Sequence, residues 1–423
     1  MEQKELLETI THYYLNSPDF NGISLTNIGL NLDEIKILLK GLLEKGEINL
    51  NFGDRHPNPY ILAFEPEPIE EQLLKLNKLN FQEPLAEQND YFILNDNKIT
   101  CCVYPSKQYL AKIVNPNDYL DKPYTLLLAL GEPQLAFRSF NLRVLEFYRN
   151  DPRYYYDTDD ISGIIYTKTN SGVVEHDQVF LQSFGFAYDK NLENRFLAAF
   201  LIDLTKLTSE HQKRWKLEEH IGETILHPEF ARESAGEWLE KESIFVGFCE
   251  EIKIINEMAK AITGIYLFQF TYDRSTKPKK FGFLIRPTRE EYNDFILLLD
   301  KMISDNFNRG FFKVKIELID KDGKEKGTIT LLDEWLNMSV RFPDPEPKNK
   351  MIRVFKEIRQ ERNEPAHKET EDEWDDKYFI KQKEMMIKAY EAIRTLRLIL
   401  ANHPSAREIK VPDWLYKGDI IVY

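Results

Sequence analysis

Arg362, Asn363 and His367 stand close together in the stretch KMIRVFKEIRQERNEPAH, residues 350–367. A guanidinium grips phosphoryl oxygens in a fixed fork, and an imidazole titrates near neutrality, so the two can hold a phosphodiester and move its protons. That chemistry needs a helix that stops at the right place. Wound at about 100° per residue, Met351, Ile352, Val354, Phe355 and Ile358 gather into one apolar arc, and Arg362 falls near its middle. A cation aimed along a buried side requires an anionic partner: an internal carboxylate, a phosphate ligand, or solvent if the helix frays first. Pro365 disfavours continuation through Glu364, so the chain should turn and bring His367 back towards Arg362.

Arg362-Asn363-Glu364-Pro365-Ala366-His367 resembles the R-x(4–6)-H signature of HEPN domains, with Asn363 at the usually polar second position. The bare pattern also spans Arg214 to His220 and Arg397 to His403, but the 362–367 copy alone follows a basic-apolar helix and precedes a long one. The resemblance covers roughly the last third of the chain. It implies an all-helical domain and a metal-independent endoribonuclease without a cofactor, of the kind found among toxins and anti-phage defence effectors. His367 would be the general base or acid, Arg362 would hold the phosphoryl oxygens, and Asn363 would orient one of them. Lys356 and Arg359, on the same helix, are the candidate RNA-binding residues. The resemblance further implies a homodimer through this domain, with RNA as partner.

The elements that must position this site read as a mainly helical domain over residues 286–423. Thr288 and Glu291 make a capping box that launches a helix with the core stripe Phe295, Leu298, Leu299 and Met302. A hairpin-like insert is expected over 311–336, then the motif helix, then an acidic connection. The last long helix, over 377–401, places Phe379, Gln382, Met386, Tyr390, Ile393, Arg397 and Leu400 in one row. Arg397 is a second inward cation, with Glu364 or an acid of 369–376 as its expected partner. The closing VPDWLYKGDIIVY should be extended.

Ahead of that lie two more expected domains, making an α+β multidomain protein. Residues 1–64 resemble a winged helix-turn-helix: helices at 2–16 and over LDEIKILLKGLLEKG, with Gly46 as the stop, then a wing pairing EINLNF with YILAF. Asp33 and Glu34 open the helix that would enter a DNA groove, so DNA is an unlikely partner and a protein contact the better expectation. FEPEPIEE, residues 64–71, reads as a linker. Residues 72–285 read as a mixed α/β domain, with strands at KITCCVYP, YTLLLAL, YYYDTDDISGIIYTK and VVEHDQVFLQSFGFAYD. Helices are expected at FNLRVLEFYRN, ENRFLAAFLIDLTKL and most of 209–265, and a closing hairpin joins YLFQFTYD to KKFGFLIRP.

Composition narrows the function. A chain of 423 residues with 42% hydrophobic and 30% charged residues has the make-up of folded domains, and its net charge of −14 opposes broad binding to duplex DNA or anionic membranes. The 18 glycines form no phosphate loop, and the three cysteines, two adjacent at 101 and 102, have no metal-ligand or disulfide spacing. No signal core and no bilayer-length apolar run occurs, which makes cytoplasmic residence the expectation.

Overall fold

The computed structural model describes residues 2–56, 58–79, 101–158, 161–191, 194–234, 241–363 and 371–422. It is a mixed α/β protein in two units, residues 1–144 with 165–237, and residues 145–164 with 238–423.

The first unit begins α1 (Gln3–Asn16), β1 (Ile23–Ser24), α2 (Leu32–Glu44) and β2 (Ile48–Phe52). Asn31 caps α2 by accepting from the Glu34 N–H, and Gly46 turns the chain out at φ 68° in the left-handed region. The expected wing does not form. β2 pairs instead with β3 (Cys101–Pro105), in a sheet ordered β1-β3-β2. Residues 59–61 serve the sheet from the side, the Pro59 and Ile61 carbonyls accepting from the Asn51 amide and the Tyr60 carbonyl from the Tyr104 hydroxyl. The acidic stretch read as a linker is also tied in, because it opens α3 (Ile69–Lys78), whose buried Gln72 accepts from the Leu50 N–H at 2.7 Å. Glu67 takes Lys75 at 2.8 Å. Leu76, Leu79 and Val103 therefore join Leu6, Leu39 and Phe52 in one core, and the fold does not part at residue 64.

The same unit continues with α4 (Lys107–Ile113), α5 (Pro123–Ala129) and β4 (Phe137–Phe140). YTLLLAL, expected as a strand, is α5, started by Pro123 in its first turn. The chain then lends α6 (Glu146–Asn150) and β5 (Tyr154–Thr158) to the second unit, where Tyr154 and Tyr156 are buried and Tyr155 is half-buried, as alternating strand faces require. After β6 (Ser162–Thr167) come β7 (Phe180–Tyr188), β8 (Arg195–Phe200), α7 (Leu201–Thr205), α8 (Ser209–Leu217), β9 (Glu219–His220), β10 (Ile225–Leu226) and α9 (Pro228–Ser234). Strands β7-β8-β4-β9 are neighbours in that order, and β10 lies on β7. The helix expected over ENRFLAAFLIDLTKL is a strand in its first half, since Leu197–Phe200 is buried between two partner strands and needs no polar face.

In the second unit α10 (Ile244–Thr263), α11 (Arg289–Ile303), α12 (Arg309–Phe312), α13 (Thr328–Ser339), α14 (Glu346–Asn363), α15 (Lys377–Ala401) and α16 (Asp413–Lys417) follow one another. Two short strands, β11 (Glu242–Ser243) and β12 (Ile420–Ile421), pair in parallel. Helices α10, α11, α14 and α15 share a core that includes Phe248, Ile252, Leu299, Phe355, Ile358, Met386 and Ile393. The expected boundary at 285/286 does not divide this unit, because α10 packs along α15. The hairpin expected between 265 and 287 is irregular chain held by side chains: Asn256 brackets the Phe268 backbone, and Gln382 accepts from the Leu284 N–H. The 311–336 insert is α12, a tight turn at Asp320 with one bridge between Ile319 and Glu325, and α13. Thr288 caps α11 as expected, while the Glu291 carboxylate turns to the Ile285 and Arg286 N–H groups. Among the described residues no helix is long and apolar enough to cross a membrane.

Candidate active site at the end of helix α14

The apolar arc read from the motif stretch is the buried face of α14: Met351, Ile352, Val354, Phe355 and Ile358 are all buried. The helix runs to Asn363 and presents Arg362, half-buried, in its last turn. Arg362 Nη1 donates to Asp300 Oδ2 at 2.6 Å and to Asp305 Oδ2 at 3.0 Å. One turn earlier, Arg359 donates from Nε to Asp300 Oδ1 at 3.0 Å and from Nη2 to Asp305 Oδ1 at 2.7 Å. Two guanidiniums and two carboxylates thus close a neutral lattice between the end of α14 and the end of α11. The hydrogen bond to Asp300 and the charges of both acids hold the Arg362 guanidinium protonated above its already high range.

The internal carboxylate was one of three partners the sequence allowed, and it is the one found. Arg359, expected as an RNA contact, is committed to the same lattice. Lys356 is exposed on α14 and so is Asn363 at its end. His367, with Glu364 and Pro365, lies outside the described residues. The acidic connection reappears at Glu371, on the rim of a cleft of about 800 Å³ between α11, α14 and α15. Seven carboxylates and three cations line that cleft, among them Glu357, Glu361, Arg289 and Lys388. A polyanion is repelled there. Glu361, adjacent to Arg362 but about 100° round the helix, faces this side and takes the Tyr292 hydroxyl at 2.5 Å.

Sequence reasoning missed Asp300 and Asp305. The signal for Asp300 was present: it occupies the buried arc of α11 with Phe295, Ile296, Leu299 and Ile303, a carboxylate misplaced on an apolar face just as Arg362 is a misplaced guanidinium. Asp305 falls beyond the helix end and carries no periodic signal.

The other two copies of the spaced pattern come apart. Arg397 pairs with Glu251 of α10, while Glu364 and Glu369 among its expected partners lie outside the described residues, and His403 caps a short turn by accepting from the Ser405 N–H at 3.2 Å. Helix α8 stops at Leu217, so Arg214 and His220 sit on different elements, and the His220 ring stacks on Phe196 with centroids 4.1 Å apart. Among the described residues no group of three or more His, Cys, Asp or Glu side chains could hold a metal ion. No protein-family model, curated protein or solved structure matches this chain.

Proposed function

We propose that the second unit is a HEPN-like, metal-independent endoribonuclease whose site is built on Arg362, Asn363 and His367. The observation that carries the reading is the presentation of Arg362: both of its hydrogen bonds among the described residues leave from Nη1, so the guanidinium is oriented at a helix end through one nitrogen. Asp300, with no solvent exposure, fixes this guanidinium from the buried side before a phosphate arrives, and a pre-placed charged donor contributes most. The bundle of α10, α11, α14 and α15, with the motif at the connection into its longest helix, supports the same assignment. In the reaction the ribose 2′-oxygen bonds to the adjacent phosphorus and the P–O5′ bond breaks. The 2′-proton passes to a base and the departing 5′-oxygen takes one up. His367 serves as base or acid, and Arg362 stabilises the charge that gathers on the phosphoryl oxygens. A homodimer through α14 would bring two motifs to one RNA.

A second role falls to the N-terminal module. Helices α1 and α2 beside the β1-β3-β2 sheet support a winged-helix-like reading without the expected wing, and the outer face of α2 presents Asp33, Glu34 and Glu44 around Lys40 and a largely exposed Ile37. Such a face suits a protein partner or sensor contact better than DNA.

The test is incubation of the purified protein with total RNA and tRNA in EDTA. Fragments ending in 2′,3′-cyclic phosphate are expected from the native protein and none from His367→Ala or Arg362→Ala. Unchanged cleavage by folded His367→Ala removes the mechanism.

A further inference from the structure

Asp300 and Asp305 hold the same guanidinium nitrogen from opposite environments. The Asp300 side chain has no solvent exposure, and its two oxygens are both used, one on Arg362 and one on Arg359. The Asp305 side chain is 39% exposed and reaches the same two arginines from the solvent side. Removing a buried carboxylate from its cations leaves uncompensated charge, so Asp300 stays in place through any turnover. An exposed carboxylate can rotate into water at little cost, since water solvates it about as well as the ion pair does. Asp305 Oδ2, 3.0 Å from Nη1, therefore stands where an incoming anionic oxygen would have to bind.

Resting on the ribonuclease reading above, we propose that Asp305 is a self-inhibitory stand-in for the RNA phosphodiester, displaced when RNA binds, while Asp300 is the fixed positioning residue for Arg362. The exchange keeps Arg362 satisfied in both states. It also sets a threshold: a single weak anion does not displace Asp305, whereas a strand held at several phosphates does. Arg359 belongs to the same device. It holds Asp305 through Nη2 in the closed state and is released to the strand in the open one, which reconciles its ion pairs with a role in RNA binding.

The experiment measures binding of a fluorescein-labelled RNA oligonucleotide of mixed sequence by anisotropy, in EDTA, with His367→Ala as the parent so that nothing is cleaved. Asp305→Asn should tighten binding about threefold to fivefold, the range of an exposed ion pair removed from competition. Asp305→Glu should return it towards the parent. Adding Arg362→Ala to Asp305→Asn should abolish the gain. In the cleavage-competent background Asp305→Asn should lower KM, and Asp300→Asn should lower kcat about tenfold to a hundredfold through misplacement of Arg362. Binding by Asp305→Asn no tighter than the parent overturns the proposal, as does a gain that survives Arg362→Ala, which would mark bulk charge. The two readings fail separately. An Arg362-dependent gain without cleavage by any variant sinks the nuclease and leaves the latch, while His367-dependent cleavage without the gain does the reverse. The Asp305 arm stands even if Asp300→Asn does not fold.

Discussion

Glu251 of α10 and Arg397 of α15 form an ion pair that water does not reach, with 0% and 2% of their side chains exposed. Burial pushes the Glu251 carboxyl up, and the Arg397 guanidinium pulls it back down. Glu251 Oε1 and Arg397 Nη2 have no hydrogen-bond partner among the described residues, so the pair is incompletely satisfied. Arg397→Met should then destabilise the protein by about 3–5 kcal/mol, because it strands a buried carboxylate. Glu251→Leu combined with Arg397→Met should recover most of that loss. Urea denaturation followed by circular dichroism separates the cases, and a double variant as unstable as the single one would show that packing, not charge, dominates.

Burial is also the main reason the Asp203 carboxyl is pushed up to about 6, with Asp19 adding to the effect and Lys206 opposing it. The folded protein holds this proton more tightly than the unfolded chain, where the value is about 3.9. Asp203 therefore adds stability as pH falls from about 6 through about 4, and that contribution is lost as pH rises through 6. Asp203→Asn should stabilise the protein by about 1 kcal/mol at pH 7.5 and change little at pH 4. Melting temperatures at the two pH values decide it; the same shift at both would mean the carboxyl is not the titrating group.

Gly185 on β7 faces the ring of Phe230 on α9 so closely that an added methyl would overlap it. Gly185→Ala should cost about 1–3 kcal/mol by overpacking. Phe230→Leu in the same chain should relieve part of that cost. Additive losses in thermal unfolding would refute the contact.

Three histidines follow a spaced arginine, and only one should matter to RNA. His220→Ala loses a stack on Phe196 and His403→Ala a turn cap, so each should change stability by about 1 kcal/mol and leave cleavage intact. His367→Ala should lower cleavage by several orders of magnitude without a comparable change in melting. Equal loss of cleavage in all three folded variants would assign the effect to the fold.

Long periodic segments were legible from the sequence because their information is local. Helix α15 covers the expected 377–401, the buried face of α14 is the expected arc, and Thr288 and Gly46 mark a helix start and a helix stop through backbone chemistry that needs no distant partner. Short apolar runs were not legible in this way. YTLLLAL and RFLAAF are both short, largely apolar runs with opposite outcomes, since so few residues satisfy either period and only the neighbours choose.

Which acid meets which arginine was likewise decided in three dimensions. Sequence placed Arg362 and Arg397 on apolar faces, where a guanidinium calls for an anion unless the helix frays into solvent. Tertiary packing selected Asp300 for one and Glu251 for the other, respectively 62 and 146 positions away, by laying α11 against α14 and α10 against α15. β2 pairs with β3 rather than the nearer YILAF, and this pairing brings Cys101 and Val103 into the core with Ile48, Leu50 and Phe52, while the Ile61 carbonyl of the closer segment accepts from the Asn51 side chain instead. Local periodicity reports what a segment must bury; only the assembled core determines what it is buried against.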